Sequence, residues 1–166
     1  MTLDTWIISD THFGHKNIIK YCDRPSKHNT IMVEEWKSAI HEDDDVLHLG
    51  DLAVWYGPEE EYWLDVASNL PGKKRMIRGN HDKLKPKKYK ALGYPIIAPF
   101  IQEFDGKEIL FSHEPDDFRI NSWDINIHGH IHNHPERSFI EGYRNVSVEV
   151  MNYKPVRLRE ILNGSL

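Results

Sequence analysis

Six of the chain's eleven histidines lie in short polar clusters or beside them: Asp10-Thr11-His12, Gly50-Asp51, Gly79-Asn80-His81-Asp82, Ser112-His113 and His128-Gly129-His130-Ile131-His132. Imidazole nitrogens together with carboxylate and amide oxygens are hard-to-borderline donors that suit Mn, Fe, Zn, Ni or Mg. Taken singly, none of the clusters is decisive, because Asp, Asn and His also favour turns for their local hydrogen bonding. The whole set in succession, each member at a predicted strand end, is a far stronger signal. The glycines before Asp51, Asn80 and His130 permit sharp turns and close backbone approach, so that short side chains can converge on one cleft.

The elements that must position these residues are readable from pattern. Thr5–Ser9 is short, β-branched and aromatic, and predicts a buried strand. Ile18, Ile19 and Cys22 share one face of a short helix from about Lys16. Asn29 or Thr30 is placed to cap a second helix that carries Ile31, Val33, Trp36 and Ile40. Asp45–Leu49 reads as a strand, Pro58 opens a helix towards Leu70, and Lys74–Arg78 forms the next strand. Ile96–Phe104 and Lys107–Ser112 flank Asp105-Gly106, a hairpin signal. Further strands are expected at Trp123–His128, Phe139–Tyr143 and Asn145–Val150, with a last helix near Val156–Leu162. A β-α-β-α-β opening followed by hairpins implies a layered α/β sandwich, and in open α/β sheets ligands bind at the carboxyl ends of strands.

Composition narrows the function. The 166 residues fit one domain, 1–166, with no repeat or linker. A net charge of −5 argues against a general polyanion binder. The single cysteine, Cys22, excludes an internal disulfide framework and a cysteine-based zinc cluster. No apolar run approaches the ~20 residues of a membrane span, and the first residues do not read as a signal peptide. The expected location is the cytoplasm, with no membrane partner.

On Asp10 and His12 (DxH), Asp51 (GD), Gly79–Asp82 (GNHD), His113 and Gly129–His132 (GHxH), in that order, the chain resembles the calcineurin-like metallophosphoesterase superfamily, and within it the small uncapped branch of bacterial and phage type. The resemblance implies a four-layer α/β/β/α sandwich with two mixed β-sheets flanked by helices. It places Asp10, His12 and His132 on one divalent metal ion and Asn80, His113 and His130 on a second, with Asp51 bridging. His81 becomes the catalytic histidine and Asp82 its support. The implied activity is hydrolysis of phosphodiesters, and also of monoesters, by attack of a metal-bridging hydroxide. Two metal ions ~3.5–4 Å apart can clamp the attacking and leaving oxygens of such a displacement. Manganese is the first choice of ion, with Fe, Zn, Ni or Mg as alternatives. The implied partner is a small phosphate ester such as a nucleotide, and the short acidic chain argues against a nucleic acid.

The remaining candidates divide between packing and substrate. His15 suits a contact to substrate phosphate or plain helix entry equally. Arg24 is a weaker substrate candidate, with surface pairing the commoner role. Trp55 and Tyr56 follow Asp51 and could line the pocket, although aromatics are more often core. His48, inside an apolar strand, reads as a hydrogen-bonded core residue, and His128 as a packing or supporting one. The basic run Lys83–Lys90 reads as a solvated face that could also steer anions. The competing functions are a non-catalytic metal-binding scaffold of the same fold and a nuclease. The scaffold would be expected to lose ligands or His81. The nuclease would favour a broad basic groove.

Overall fold

A computed structural model describes residues 1–54, 58–116, 123–134 and 141–164, the side chains of 58–60 excepted. The first sheet is built from β1 (Trp6–Ile8), β2 (Asp45–His48), β3 (Lys73–Ile77), β4 (Ile96–Ile97) and β9 (Val156–Arg157) in the order β4-β3-β2-β1-β9. Its four inner pairings are parallel except that of β9, which runs antiparallel to β1. The second sheet has the order β5-β6-β7-β8, from β5 (Phe100–Phe104), β6 (Lys107–Phe111), β7 (Ile125–His128) and β8 (Tyr143–Asn145). Only its β5–β6 pair is antiparallel. Both sheets are mixed, and helices flank them, as in the sandwich the sequence implies.

Period-two alternation in the central strands feeds two cores. Ile8, Val46 and Met76 point to one side of the first sheet, where Met32 and Trp36 of α2 (His28–Ala39), Leu64 and Ala67 of α3 (Pro58–Ser68) and Tyr89 of α4 (Pro86–Ala91) cover them. Ile7, Leu47 and Ile77 point to the other side. There they meet Ile109, Phe111, Ile125 and Ile127 of the second sheet and Leu158 and Ile161 of α5 (Leu158–Asn163). At the Asp105-Gly106 turn both residues adopt positive φ, +51° and +77°, as a two-residue hairpin turn of the primed kind requires.

Several sequence expectations shift. Neither Asn29 nor Thr30 caps α2, which begins at His28 after Lys27 with no side-chain cap. Asn29 Oδ1 instead accepts the Gly14 N–H at 3.3 Å and ties α2 to the loop after β1. The strand expected over Asn145–Val150 ends at Asn145. Its Oδ1 takes the Ser147 N–H (3.0 Å) and Oγ–H (2.7 Å), and the chain then bends through Glu149. Of the strand expected at Phe139–Tyr143, residues 139–140 lie outside the described ones and Tyr143 opens β8. The helix expected near Val156–Leu162 is β9 followed by α5, and the basic run forms α4, a helix not anticipated from its charges. No helix among the described residues is long and apolar enough to cross a membrane.

His48, wholly buried, locks β2 to the loop after β1. Its Nδ1 accepts the Gly50 N–H at 3.1 Å, so the proton is on Nε2, which donates to Thr11 Oγ1 at 3.0 Å. Thr11 passes its own hydroxyl proton to the Leu52 carbonyl at 2.8 Å. This chain uses the neutral ring, and burial pushes the His48 pKa down to about 3 against the pull of Asp51. An unfolded histidine takes a proton near pH 6.5 while the folded one does not. The stability His48 contributes is therefore complete above pH ~6.5 and lost as pH falls towards the folded value. Between about pH 7.5 and about pH 5 this group should cost the wild type about 2 kcal/mol. His48→Asn keeps an acceptor for Gly50 and removes the titration. Urea midpoints at the two pH values should fall less for the variant than for the wild type, although the variant starts lower.

Candidate metal centre

The clusters occupy the turns that leave β1, β2, β3, β6 and β7. Asp10, His12, Asp51, His130 and His132 all adopt positive φ, at +58°, +47°, +57°, +69° and +48°. Non-glycine residues held there cost roughly 1–3 kcal/mol each and concentrate at functional sites. Two glycines make room for the convergence. A Cβ on Gly79 would strike the Asp51 carboxylate, and one on Gly129 would strike Ser9 Oγ and Asp10 Oδ2.

All seven expected ligands are brought together. Asp51 Oδ2 lies between two imidazoles, 3.4 Å from His12 Nε2 and 3.5 Å from His113 Nε2. Asn80 Oδ1 is 2.9 Å from His113 Nε2 and 3.0 Å from His130 Nδ1. His132 Nε2 is 4.0 Å from Asp10 Oδ1. Ligand atoms of Asp10, His12 and His132 lie within 4.8 Å of one another, as do those of Asp10, Asp51 and His113. Asp10 thus stands near both halves of the cluster.

Hydrogen bonding on the far side of each ring decides what the near side can hold. His113 Nδ1 donates to the Leu49 carbonyl at 2.8 Å, and His132 Nδ1 to Glu149 Oε1 at 2.9 Å. When neutral, each therefore aims its Nε2 lone pair at the oxygens of Asn80 and Asp51, or of Asp10. Lone pair facing lone pair is repulsive unless a proton or cation lies between. Asp10 Oδ1 and both ring nitrogens of His12 are buried with no hydrogen-bond partner among the described residues. The donor set fits divalent cations.

Electrostatics agree. Burial would deprotonate His113, but Asp51 and Asp10 outweigh it and raise its pKa to about 9. Burial is likewise outweighed at His132, where Cys22, Glu149 and Asp10 raise it to about 10. His12, deeper and facing Arg24, His132 and His15, is pushed well below its ordinary value by burial despite Asp51. Burial pushes Asp51 up, yet His113, His12 and the His81 N–H hold it well below the carboxylate range. Protons on the raised histidines occupy the lone pairs a metal would use, so metal binding displaces them.

Residues 3–148 match the family model described as the calcineurin-like phosphoesterase superfamily domain. The chain belongs to this superfamily. It is 36% identical over 163 residues to the uncharacterized protein MJ1445 of Methanocaldococcus jannaschii, covering 92% of this chain and 86% of the relative. A solved structure of a protein of unknown function from Aquifex aeolicus, AQ665, is 30% identical with a TM-score of 0.77, covering 96% of this chain and 97% of that one. The phosphoesterase YfcE of E. coli shares the fold at 14% identity and a TM-score of 0.51, covering 86% of this chain and 77% of that one. The superfamily is one of metal-dependent phosphoesterases.

Around the donors of this phosphoesterase domain the remaining candidates take distinct places. His81 is half-buried, its ring 5.3 Å from that of His12 and edge-on to it, while its N–H donates to Asp51 Oδ1 at 2.7 Å. Asp82 spends its oxygens on the N–H groups of Gly79 (2.8 Å), Asp51 (2.8 Å) and Leu52 (3.1 Å) and on the Tyr89 hydroxyl (3.2 Å). It shapes the loop rather than gripping the His81 ring. His15 stacks at a tilt 5.5 Å from His12. Arg24 is neither a surface residue nor aimed at a substrate. It is buried, with Nη1 and Nη2 donating to the Thr11 and Asp10 carbonyls and Nε to Glu149. His128 is buried against Tyr143, in the packing role expected, and Trp55 and Tyr56 lie outside the described residues.

Glu149 is a candidate site residue that the sequence reading passed over. Its side chain is buried and holds both His132 and Arg24. A glutamate in the alternating stretch Val146–Val150, close after the histidine cluster, was the available signal. Partners of this kind set ligand orientation, and losing one costs 10–100-fold in metal affinity or activity. Glu149→Gln keeps the shape and drops the charge. Metal titration by calorimetry should show about tenfold weaker binding, with the far-ultraviolet circular dichroism unchanged.

Proposed function

We propose that the chain is a dinuclear metal-dependent phosphoesterase that hydrolyses phosphodiesters, and monoesters as a second substrate class. The observation that carries this reading is the position of Asp51 Oδ2, shared between His12 at 3.4 Å and His113 at 3.5 Å. Asp10, His12 and His132 would hold one ion and Asn80, His113 and His130 the other, with Asp51 between them. The ions, manganese foremost with Fe, Zn, Ni or Mg as alternatives, supply the Lewis acidity that acidifies a water and neutralises the phosphate.

The chain's own residues do the rest. Asp82 and Asp51 fix the loop backbone that presents His81 beside His12. His81 then gives a proton to the oxygen that leaves phosphorus, and it is the one residue assigned that transfer. His15, whose ring lies 5.5 Å from that of His12, contacts the substrate phosphate. Glu149 and the Leu49 carbonyl hold His132 and His113 in the tautomer that points Nε2 inward. A free, buried Cys22 suits a reducing cytoplasm. The intact donor set and His81 speak for an enzyme over a scaffold of the same fold.

Asp51→Asn should lose metal and nearly all turnover, since one substitution touches both ligand sets. Elemental analysis of the wild type should give two ions per chain in the active form. Full metal content and rate in Asp51→Asn would refute the ligand assignment. For comparison, Asp82→Asn should retain metal and lose less activity.

His81 can be separated from metal binding by the leaving group. General acid help is worth about 10²–10⁴-fold where the leaving oxygen needs a proton, and a nitrophenolate needs it little. His81→Ala should keep both ions, lose a large factor on alkyl or nucleoside esters and lose much less on nitrophenyl esters. Equal losses on both substrate classes would remove the general-acid role and leave the metal site standing.

A further inference from the structure

The net charge of −5 conceals a sharp segregation: residues 73–90 hold nine Lys and Arg against one carboxylate, Asp82. Lys73 pairs with Asp43 and Lys74 bonds the Leu70 carbonyl, so these two are spent locally. Arg78 is exposed but its guanidinium donates to the Leu84 carbonyl. Lys83, Lys85, Lys87, Lys88 and Lys90 are exposed, and no carboxylate among the described residues pairs with any of them. Their placement is not accidental to the site. They follow Asp82 directly, and Tyr89 of α4 returns to donate its hydroxyl to Asp82 Oδ1 at 3.2 Å. The lysines therefore ride on a segment bolted to the loop that carries Asn80 and His81.

Tyr21 of α1 (Ile18–Tyr21) is 66% exposed. Its ring stands 6.2 Å from that of His15, which is itself 5.5 Å from His12. A large aromatic left in water beside a phosphate-cleaving cluster offers a stacking face.

A single small phosphate ester would occupy the donor cluster and leave this row of cations without a role. A substrate with a succession of phosphates would extend past the cluster onto them. Positive charge tracking a backbone, combined with an aromatic platform for bases, is how single strands are bound without sequence readout. We propose that the substrate of this site is a single-stranded nucleic acid, its backbone on Lys83, Lys85 and the α4 lysines and a base on Tyr21. The proposal rests on the phosphoesterase reading for the cleavage step but not for the binding step.

The test uses the metal-loaded full chain, a labelled oligothymidylate and bis(p-nitrophenyl) phosphate. The quadruple variant Lys83→Glu, Lys85→Glu, Lys87→Glu and Lys90→Glu alters only exposed side chains and leaves Tyr89 in place. Its kcat/KM on the oligonucleotide should fall by about a hundredfold or more and its turnover of the small diester by less than about twofold, because each phosphate contact contributes separately to salt-dependent affinity. Fluorescence anisotropy should show oligonucleotide affinity falling with salt, with a shallower slope in the variant. Tyr21→Ala should weaken oligonucleotide binding about tenfold with the salt slope unchanged. The proposal is overturned if both substrates change together, if neither changes, or if a duplex of the same sequence binds as well as the single strand. If neither substrate is turned over with any metal, the phosphoesterase reading fails on its own, and the anisotropy series still decides the binding surface.

Discussion

Asp10 and Asp51 are both buried to within 1% exposure at the carboxyl ends of β1 and β2, and no Lys or Arg side chain among the described residues pairs with either carboxylate. Burying an unpaired carboxylate is expensive, so the surrounding chain is arranged to make two of them tolerable. Neutral donors do part of this: the His81 N–H on Asp51, and the His130 N–H and Ser147 hydroxyl on Asp10. Imidazoles from three separate loops do the rest. His12 comes from the first sheet, whereas His113 and His132 follow strands of the second, so the same two carboxylates also hold the sheets together at this edge. Cations brought to this edge would complete the compensation that protons on His113 and His132 provide.

Tolerating that arrangement commits residues well beyond the ligands. Five of the expected ligands are held at positive φ, and that strain persists only because neighbouring contacts over-determine it. The Arg24–Glu149 pair is one such contact: its guanidinium clamps the Asp10 and Thr11 carbonyls while Glu149 fixes His132. A buried ion pair is weak grounds for net stability but costly to break on one side. Its value here lies in geometry, since one pair fixes the β1 loop and the His132 loop relative to each other. Asp82 does the same for the loops after β2 and β3 through three backbone N–H groups.

What the sequence made legible follows the range of the forces involved. Strand ends with Asp, His and Asn, and the Asp105-Gly106 turn, are written in a few adjacent residues, and the structure places them where pattern implies. The two-sheet layering follows from apolar runs too short for helices. Arg24 and Glu149 were not legible because their roles depend on contacts across 125 residues of sequence. Asn145 and Ser147 hid a bend inside a run that alternates like a strand, since their side chains compete with the ladder for backbone N–H groups. Asn29 had the chemistry of a cap, but a tertiary partner, Gly14, claimed its oxygen.

Net charge is a coarse guide to recognition, for a physical reason. A whole-chain sum reports long-range repulsion and solubility, whereas recognition depends on the local field near the site. With a screening length of ~8 Å at physiological ionic strength, acidic groups on the far side of the molecule contribute little at the α4 lysines. Next to α4, Asp82 is buried and saturated with hydrogen bonds from Gly79, Asp51, Leu52 and Tyr89. Its burial pushes its pKa up to about 6, and Asp51 adds to the rise against those backbone donors. The one acid inside the basic stretch is thus withdrawn from the surface and used to brace the loop, and the lysines that follow it face solvent without an opposing charge.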